Sequence, residues 1–144
     1  MILRHIRDID LNDLWNILRT CFPEDQLPYR DKFDRVCRDG TVFVSGDAVV
    51  IKGFAVVTSV TEGMSKIRNI CVLPEFQGMG EASYLIKEIK QHCIICKDKI
   101  LILDVRHDNF GAIRLYERHG FKGSRVLPDK YGPGQDGIEM ETAL

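Results

Sequence analysis

The sequence predicts a mixed α/β (α+β) fold of seven strands and four helices in the order β-α-α-β-β-β-α-β-α-β-β. Three observations predict it. Short β-branched and aromatic runs are separated by stretches whose apolar residues recur every three to four positions, the periods of buried strands and amphipathic helices. An apolar run, Ile70-Cys71-Val72-Leu73, passes through Gln77-Gly78-Met79-Gly80 directly into a helical pattern. At 144 residues the chain has the length of one domain with a sizeable core, so residues 1-144 are read as a single domain.

Taken in order, Ile2 to Ile6 form a short strand, and Asp10 stands as helix N-cap with Asp13 in the first turn. Leu14, Ile17, Leu18 and Cys21 then repeat at helical spacing, and the helix ends before Phe22-Pro23 because proline disfavours helical geometry in the residue ahead of it. Pro23 to Pro28 is a loop. Tyr29 to Cys37 forms a second helix, closed by Gly40. Thr41 to Val60 reads as two antiparallel strands with a hairpin at Ser45-Gly46-Asp47. A turn near Glu62-Gly63 leads into Ser65 to Leu73, a central strand apolar on both faces at its end. The helix from Met79 to Cys96 buries Leu85, Ile86, Ile89, Cys93 and Cys96 and turns Lys87, Glu88, Lys90 and Gln91 outward. Ile100 to Val105 is a buried strand. Asn109 caps the helix Phe110 to His119, and Gly120 stops it. Phe121 to Leu127 and Gly137 to Thr142 are the last strands, joined by a Gly- and Pro-rich loop.

Composition narrows the function. Twenty basic against 21 acidic residues give a net charge of -1, so no global pull toward nucleic acid or membrane exists and selectivity must be local. No leader or long apolar run is visible, which sets the expectation of a cytoplasmic protein, monomeric or homodimeric. Five cysteines, an odd number, read as free thiols. His92, Cys93 and Cys96 lack a second ligand pair at zinc spacing, so no metal is expected.

Two glycines before a helix allow close backbone approach to a ligand, and the helix start offers unpaired N–H groups to an anion. The series Val72, Pro74, Glu75, Phe76, Gln77, Gly80, Ala82 resembles the acetyl-CoA signature of the GNAT N-acetyltransferase superfamily. A second stretch resembles that family's other motif: Asp104 to Asn109, then Ala112-Ile113-Arg114-Leu115-Tyr116-Glu117, then Gly120-Phe121. Lys130-Tyr131, Gln135-Asp136-Gly137 and Met140 resemble the ending of the ribosomal-protein and protein N-terminal acetyltransferases, with the second tyrosine missing and Gln135 where glutamate is usual.

The resemblance implies a mixed, mostly antiparallel seven-stranded sheet and acetyl transfer from acetyl-CoA (coenzyme A) to a primary amine. It implies cofactor contacts from Ile70, Cys71 and Val72, from Gln77, Gly78, Met79, Gly80, Glu81, Ala82 and Ser83, and from Asn109 and Ala112. No basic residue occurs between Asn69 and Ile86, so backbone donors are expected to carry the phosphates nearly alone. Tyr116 matches the general acid that protonates the leaving sulfur; three positions after Ile113, it also reads as a core aromatic. Asp104 and Glu24 compete for general base. Phe22, Glu24 and Tyr131 fall in the two loops that form the family's acceptor groove.

The acceptor is an amine-bearing peptide or protein, or a small molecule. A peptide α-amine of pKa near 8 is about one-tenth neutral at pH 7, whereas a lysine near 10.4 is neutral about once in 2,500 molecules. The α-amine therefore needs little more than a water relay, and a protein N-terminus is the preferred acceptor. Small amines such as polyamines, amino acids or aminoglycosides are the alternative, and a catalytically weak acyl-CoA sensing module is the reading of a different class.

Overall fold

Alternation of apolar side chains sets the strand faces, and the computed structural model places seven strands and four helices along the chain. It describes residues 2–4, 8–47 and 49–144. The elements are β1 (Ile2–Arg4), α1 (Asp8–Cys21), α2 (Arg30–Asp39), β2 (Thr41–Gly46), β3 (Ile51–Thr61), β4 (Met64–Val72), α3 (Glu81–Ile95), β5 (Ile100–Arg106), α4 (Phe110–Arg118), β6 (Lys122–Leu127) and β7 (Gly137–Ala143). Single 3-10 turns at Glu24–Gln26 and Pro74–Phe76 lie within the segments read as loops. The strand order is β1-β2-β3-β4-β5-β7-β6, with β4 and β5 parallel and the other registered pairs antiparallel. The expected mixed, mostly antiparallel seven-stranded sheet is thus present.

Two compact units make up the chain: Met1–Thr58 with Arg68–Ile89, and Ser59–Ile67 with Lys90–Leu144. In the first, Leu11, Leu14, Ile17 and Leu18 of α1 and Phe33 and Cys37 of α2 join Val42, Val44, Phe54, Val56 and Cys71 in one core cluster. Phe33 stands edge-on to Phe54, with ring centroids 6.1 Å apart. Each such side chain contributes roughly 1.5–3 kcal/mol when fully buried, so the helical pair is held by its apolar stripe. In the second unit β5 supplies Leu101, Leu103 and Val105, α4 supplies Tyr116, and Phe121 and Met140 are also buried. Here β7 runs against β5 from Ile100↔Ala143 to Arg106↔Gly137, and against β6 with a bulge between Gly123 and Arg125.

Several boundaries differ from the sequence reading. The first helix begins at Asp8, so Asp10 lies inside it and is not its cap; Ile6, the expected end of the first strand, lies outside the described residues. The third helix begins at Glu81 and not at Met79, because Gly78 (φ 77°) and Gly80 (φ 83°) hold left-handed backbone that cannot continue a right-handed helix. Cys96, expected on its buried side, is exposed past the last helical residue, where the turn at Lys97 (φ 66°) carries the chain away. Lys90, expected to face water, donates to the His119 carbonyl and lies 5.6 Å from the centroid of Phe121, so its stem is folded inward. Phe121 precedes β6 and is buried against Tyr116.

Candidate active site

The phosphate-loop candidate belongs to the first unit. Its strand, β4, ends at Val72, and the Pro74–Phe76 turn and the two left-handed glycines then deliver the chain to the start of α3. Among the described residues the backbone N–H groups of Gly78, Met79, Gly80 and Ala82 have no acceptor. A Cβ added at Gly78 or Gly80 would meet no atom within 4 Å, so space for a ligand remains on that side. Unpaired donors at the positive end of a helix, beside open space, fit a diphosphate.

The end of β4 is braced by side chains. Gln77 donates its Nε2 proton to the Val72 carbonyl at 3.0 Å, and the Cys21 thiol donates to the same oxygen at 3.3 Å. That carbonyl is therefore occupied by the protein's own donors. Cys71 is hydrogen-bonded to Cys21: this bond lowers the Cys21 pKa, and the bond together with burial pushes Cys71 well above the usual thiol value. Ile70 is half-buried beside them. Glu81, the first residue of α3, lies 3.8 Å from the Lys52 ammonium, a cation contributed by β3 that the reading of the loop alone missed. Phe22 packs against the core of α1 and α2, and Glu24 is exposed in its 3-10 turn.

The second unit holds the carboxylate and phenol candidates. Asn109 caps α4 as expected, its Oδ1 accepting the Ala112 N–H at 3.3 Å. Tyr116, on α4, is 7% exposed and meets Phe121 at 5.9 Å between ring centroids. Asp104, on β5, takes the Lys66 ammonium at 2.8 Å and has that of Lys130 at 3.6 Å, both on Oδ2. Its Oδ1 is buried and has no hydrogen-bond partner among the described residues.

Tyr131 sits under the Arg106 guanidinium, 5.7 Å from its ring centroid, while Arg106 also donates to Gln135 Oε1 at 2.8 Å and to Asp108 at 3.2 Å. Burial raises the Tyr131 pKa, and the Asp104 charge adds to the rise against the opposing effect of Arg106. The Arg106 bonds hold Asp108 below the usual carboxylate range. The loop carrying Tyr131 is tied by Asp129 N–H to Asp136 Oδ1 (2.9 Å), Gly134 N–H to Asp129 Oδ1 (2.7 Å) and Tyr131 N–H to the Gln135 carbonyl (2.9 Å). Sequence reasoning missed Lys66, because its partner lies 38 residues away on the neighbouring strand.

Residues 11–121 match the model of the acetyltransferase (GNAT) family. The chain belongs to that family. It is therefore a GNAT acetyltransferase, and two curated relatives carry N-acetyltransferase names. An N-alpha-acetyltransferase of Saccharolobus solfataricus is 28% identical over 158 aligned residues, which cover 99% of this chain and 92% of that one. An uncharacterised N-acetyltransferase of Methanocaldococcus jannaschii is 30% identical over 86 residues, 59% of this chain and 55% of the relative, so that match spans about half its length. Among solved structures, the ribosomal-protein-S18-alanine N-acetyltransferase of Escherichia coli superposes with a TM-score of 0.85 at 22% identity, covering 99% of this chain and 92% of that one. At that identity the likeness bears on the fold. Among the described residues no group of three or more His, Cys, Asp or Glu is placed to hold a metal ion, and no helix is long and apolar enough to cross a membrane.

Proposed function

We propose that this GNAT chain transfers the acetyl group of acetyl-CoA to the α-amine of a protein or peptide N-terminus. One observation carries the choice of acceptor: the Asp104 carboxylate already has two lysine ammonium groups within 4 Å, Lys66 and Lys130, with Arg106 two residues further along its strand. A single carboxylate shared by two cations leaves a net positive charge, which repels polyamines and other small polycations. An α-amine, about a tenth neutral at pH 7, needs no acidic pocket to bind it and little base to deprotonate it. The name of the full-length Saccharolobus relative, N-alpha-acetyltransferase, supports the same acceptor.

Each residue has a role that its chemistry permits. The N–H groups of Gly78 to Ala82, with Ser83 in the same turn, hold the diphosphate, and Asn109 and Ala112 flank the pantetheine arm. Acetyl-CoA supplies the thioester whose acyl carbon the amine attacks. Tyr116 holds, on its phenol oxygen, the proton that the departing sulfur requires; a phenol near pKa 10 gives up that proton when a basic sulfur forms beside it. Asp104 is assigned the proton of the amine through a water relay, since its Oδ1 is buried and left without a partner among the described residues. Acceptor recognition is assigned to Glu24, exposed on its turn, and Phe22 in the first unit, and separately to Tyr131 in the second.

Release of coenzyme A thiol from acetyl-CoA over a panel of free and N-terminally blocked peptides and polyamines, with Tyr116→Phe alongside, tests the reading. Turnover on free α-amines only, lost in Tyr116→Phe while coenzyme A still binds, is the expected result. Turnover confined to polyamines would refute the acceptor, and binding with no turnover on any amine would replace the enzyme with a sensing module.

A further inference from the structure

The phosphate loop has a charge problem on its own. Its helix start offers about half a positive charge, but Glu81 stands at that end and no basic residue lies between Asn69 and Ile86. A diphosphate approaching the loop alone would meet a net negative site. Lys52 changes the balance. Its backbone is fixed beside the end of β4, since the Lys52 carbonyl accepts the Leu73 N–H at 2.8 Å. Its ammonium lies 3.8 Å from Glu81 Oε1 and 5.2 Å from the centroid of the Phe76 ring, with the side chain 30% exposed.

We propose, resting on the cofactor reading above, that Lys52 is the diphosphate ligand of this enzyme, a cation lent to the glycine loop by the neighbouring strand, and that Glu81 is its resting counter-ion. An ammonium has three donors, so Lys52 can keep Glu81 and take a phosphate oxygen at once. The Phe76 face limits where its flexible stem can go, which lowers the conformational cost of offering the charge. Glu81 thus holds the lysine at the loop in the free protein, while its own charge still opposes the anion, less than it would without Lys52. A lysine that merely packs on Phe76 would have no preference among ligands, and that difference is measurable.

The test is calorimetric titration of coenzyme A, 3′-dephospho-coenzyme A and pantetheine into the full chain and its Lys52→Gln, Lys52→Arg and Glu81→Gln variants. Lys52→Gln should weaken coenzyme A and the dephospho form by the same factor, about tenfold or ~1.4 kcal/mol, and leave pantetheine, which has no phosphate, unchanged. Lys52→Arg should restore most of the loss. Glu81→Gln should tighten coenzyme A in the wild-type background. Equal coenzyme A affinity in wild type and Lys52→Gln would overturn the proposal, as would equal weakening of pantetheine or an effect confined to the 3′-phosphate. Failure of the wild-type chain to bind coenzyme A at all is a separate result, and it would remove the cofactor reading itself.

Discussion

Replacing Lys66 by Met should destabilise the protein far more than a surface lysine would. Lys66 lies opposite Ile102 in the parallel register of β4 and β5, so Asp104, two residues on, shares its face. Both side chains are largely buried, 17% and 10% exposed, and Oδ2 takes the ammonium at 2.8 Å. Removing one partner of a buried pair costs about 3–5 kcal/mol, because the remaining charge is left desolvated. Lys130, 3.6 Å from the same oxygen, still neutralises part of that charge. The net loss is therefore about 2–3 kcal/mol, below the full cost of breaking an isolated pair. With a urea dependence of about 2 kcal/mol/M, the midpoint falls by roughly 1–1.5 M. Urea denaturation followed by circular dichroism, on Lys66→Met, Asp104→Asn and the double variant, gives the coupling between the two groups. We expect a coupling near ~2 kcal/mol, and single effects that simply add to within about 0.5 kcal/mol would refute the pairing argument.

Two further outcomes follow from the loop and the thiols. Gly80→Ala forces a Cβ onto a residue with φ of 83°, at a strain of roughly 1–2 kcal/mol, and titration should show coenzyme A binding weakened about tenfold while Gly111→Ala, in α4, leaves it unchanged. Burial pushes the Cys37 and Cys93 thiols up to about 12, so in the native state near pH 8 mass spectrometry after brief alkylation should show label on exposed Cys96 and none on those two. The same raised values favour the folded state fully below pH 9 and lose that contribution as pH rises from 9 toward 12; an alkaline melt of Cys37→Ala should fall less steeply over that window than wild type.

Local chemistry made much of this legible. The two glycines, the Asn109 cap and the Gly120 stop are statements about backbone within a few residues, and the structure carries each of them: Gly120 has φ of 88° and Asn109 accepts the Ala112 N–H. The strand-to-helix loop was legible for the same reason. What escaped was pairing across the chain. Nothing in the loop sequence points to Lys52, 29 residues before Glu81 and on another strand, nor does the neighbourhood of Asp104 reveal that Lys66 shares its sheet face. Register decides both, and register is a property of the assembled sheet. Cys96 was placed on the buried side because helical periodicity was extended one residue past Ile95, where the backbone leaves the helix.

The loop between β6 and β7 closes on itself. Leu127 faces Gly137 in the ladder, and within that closure Asp129 and Asp136 bond the loop's own backbone. From β5, Arg106 reaches it at the Gln135 side chain and the Tyr131 ring, Asp104 meets its Lys130 at 3.6 Å, and the His107 N–H just past the strand donates to the Asp136 carbonyl. Such a loop is a cassette. Its ends are fixed by the hairpin and its shape by its own residues, so a homologous loop could be transplanted between Leu127 and Gly137 with little disturbance of the sheet. Its nine residues could then be exchanged as a block, provided a cation is kept at position 130 for Asp104, while the strands stay as they are.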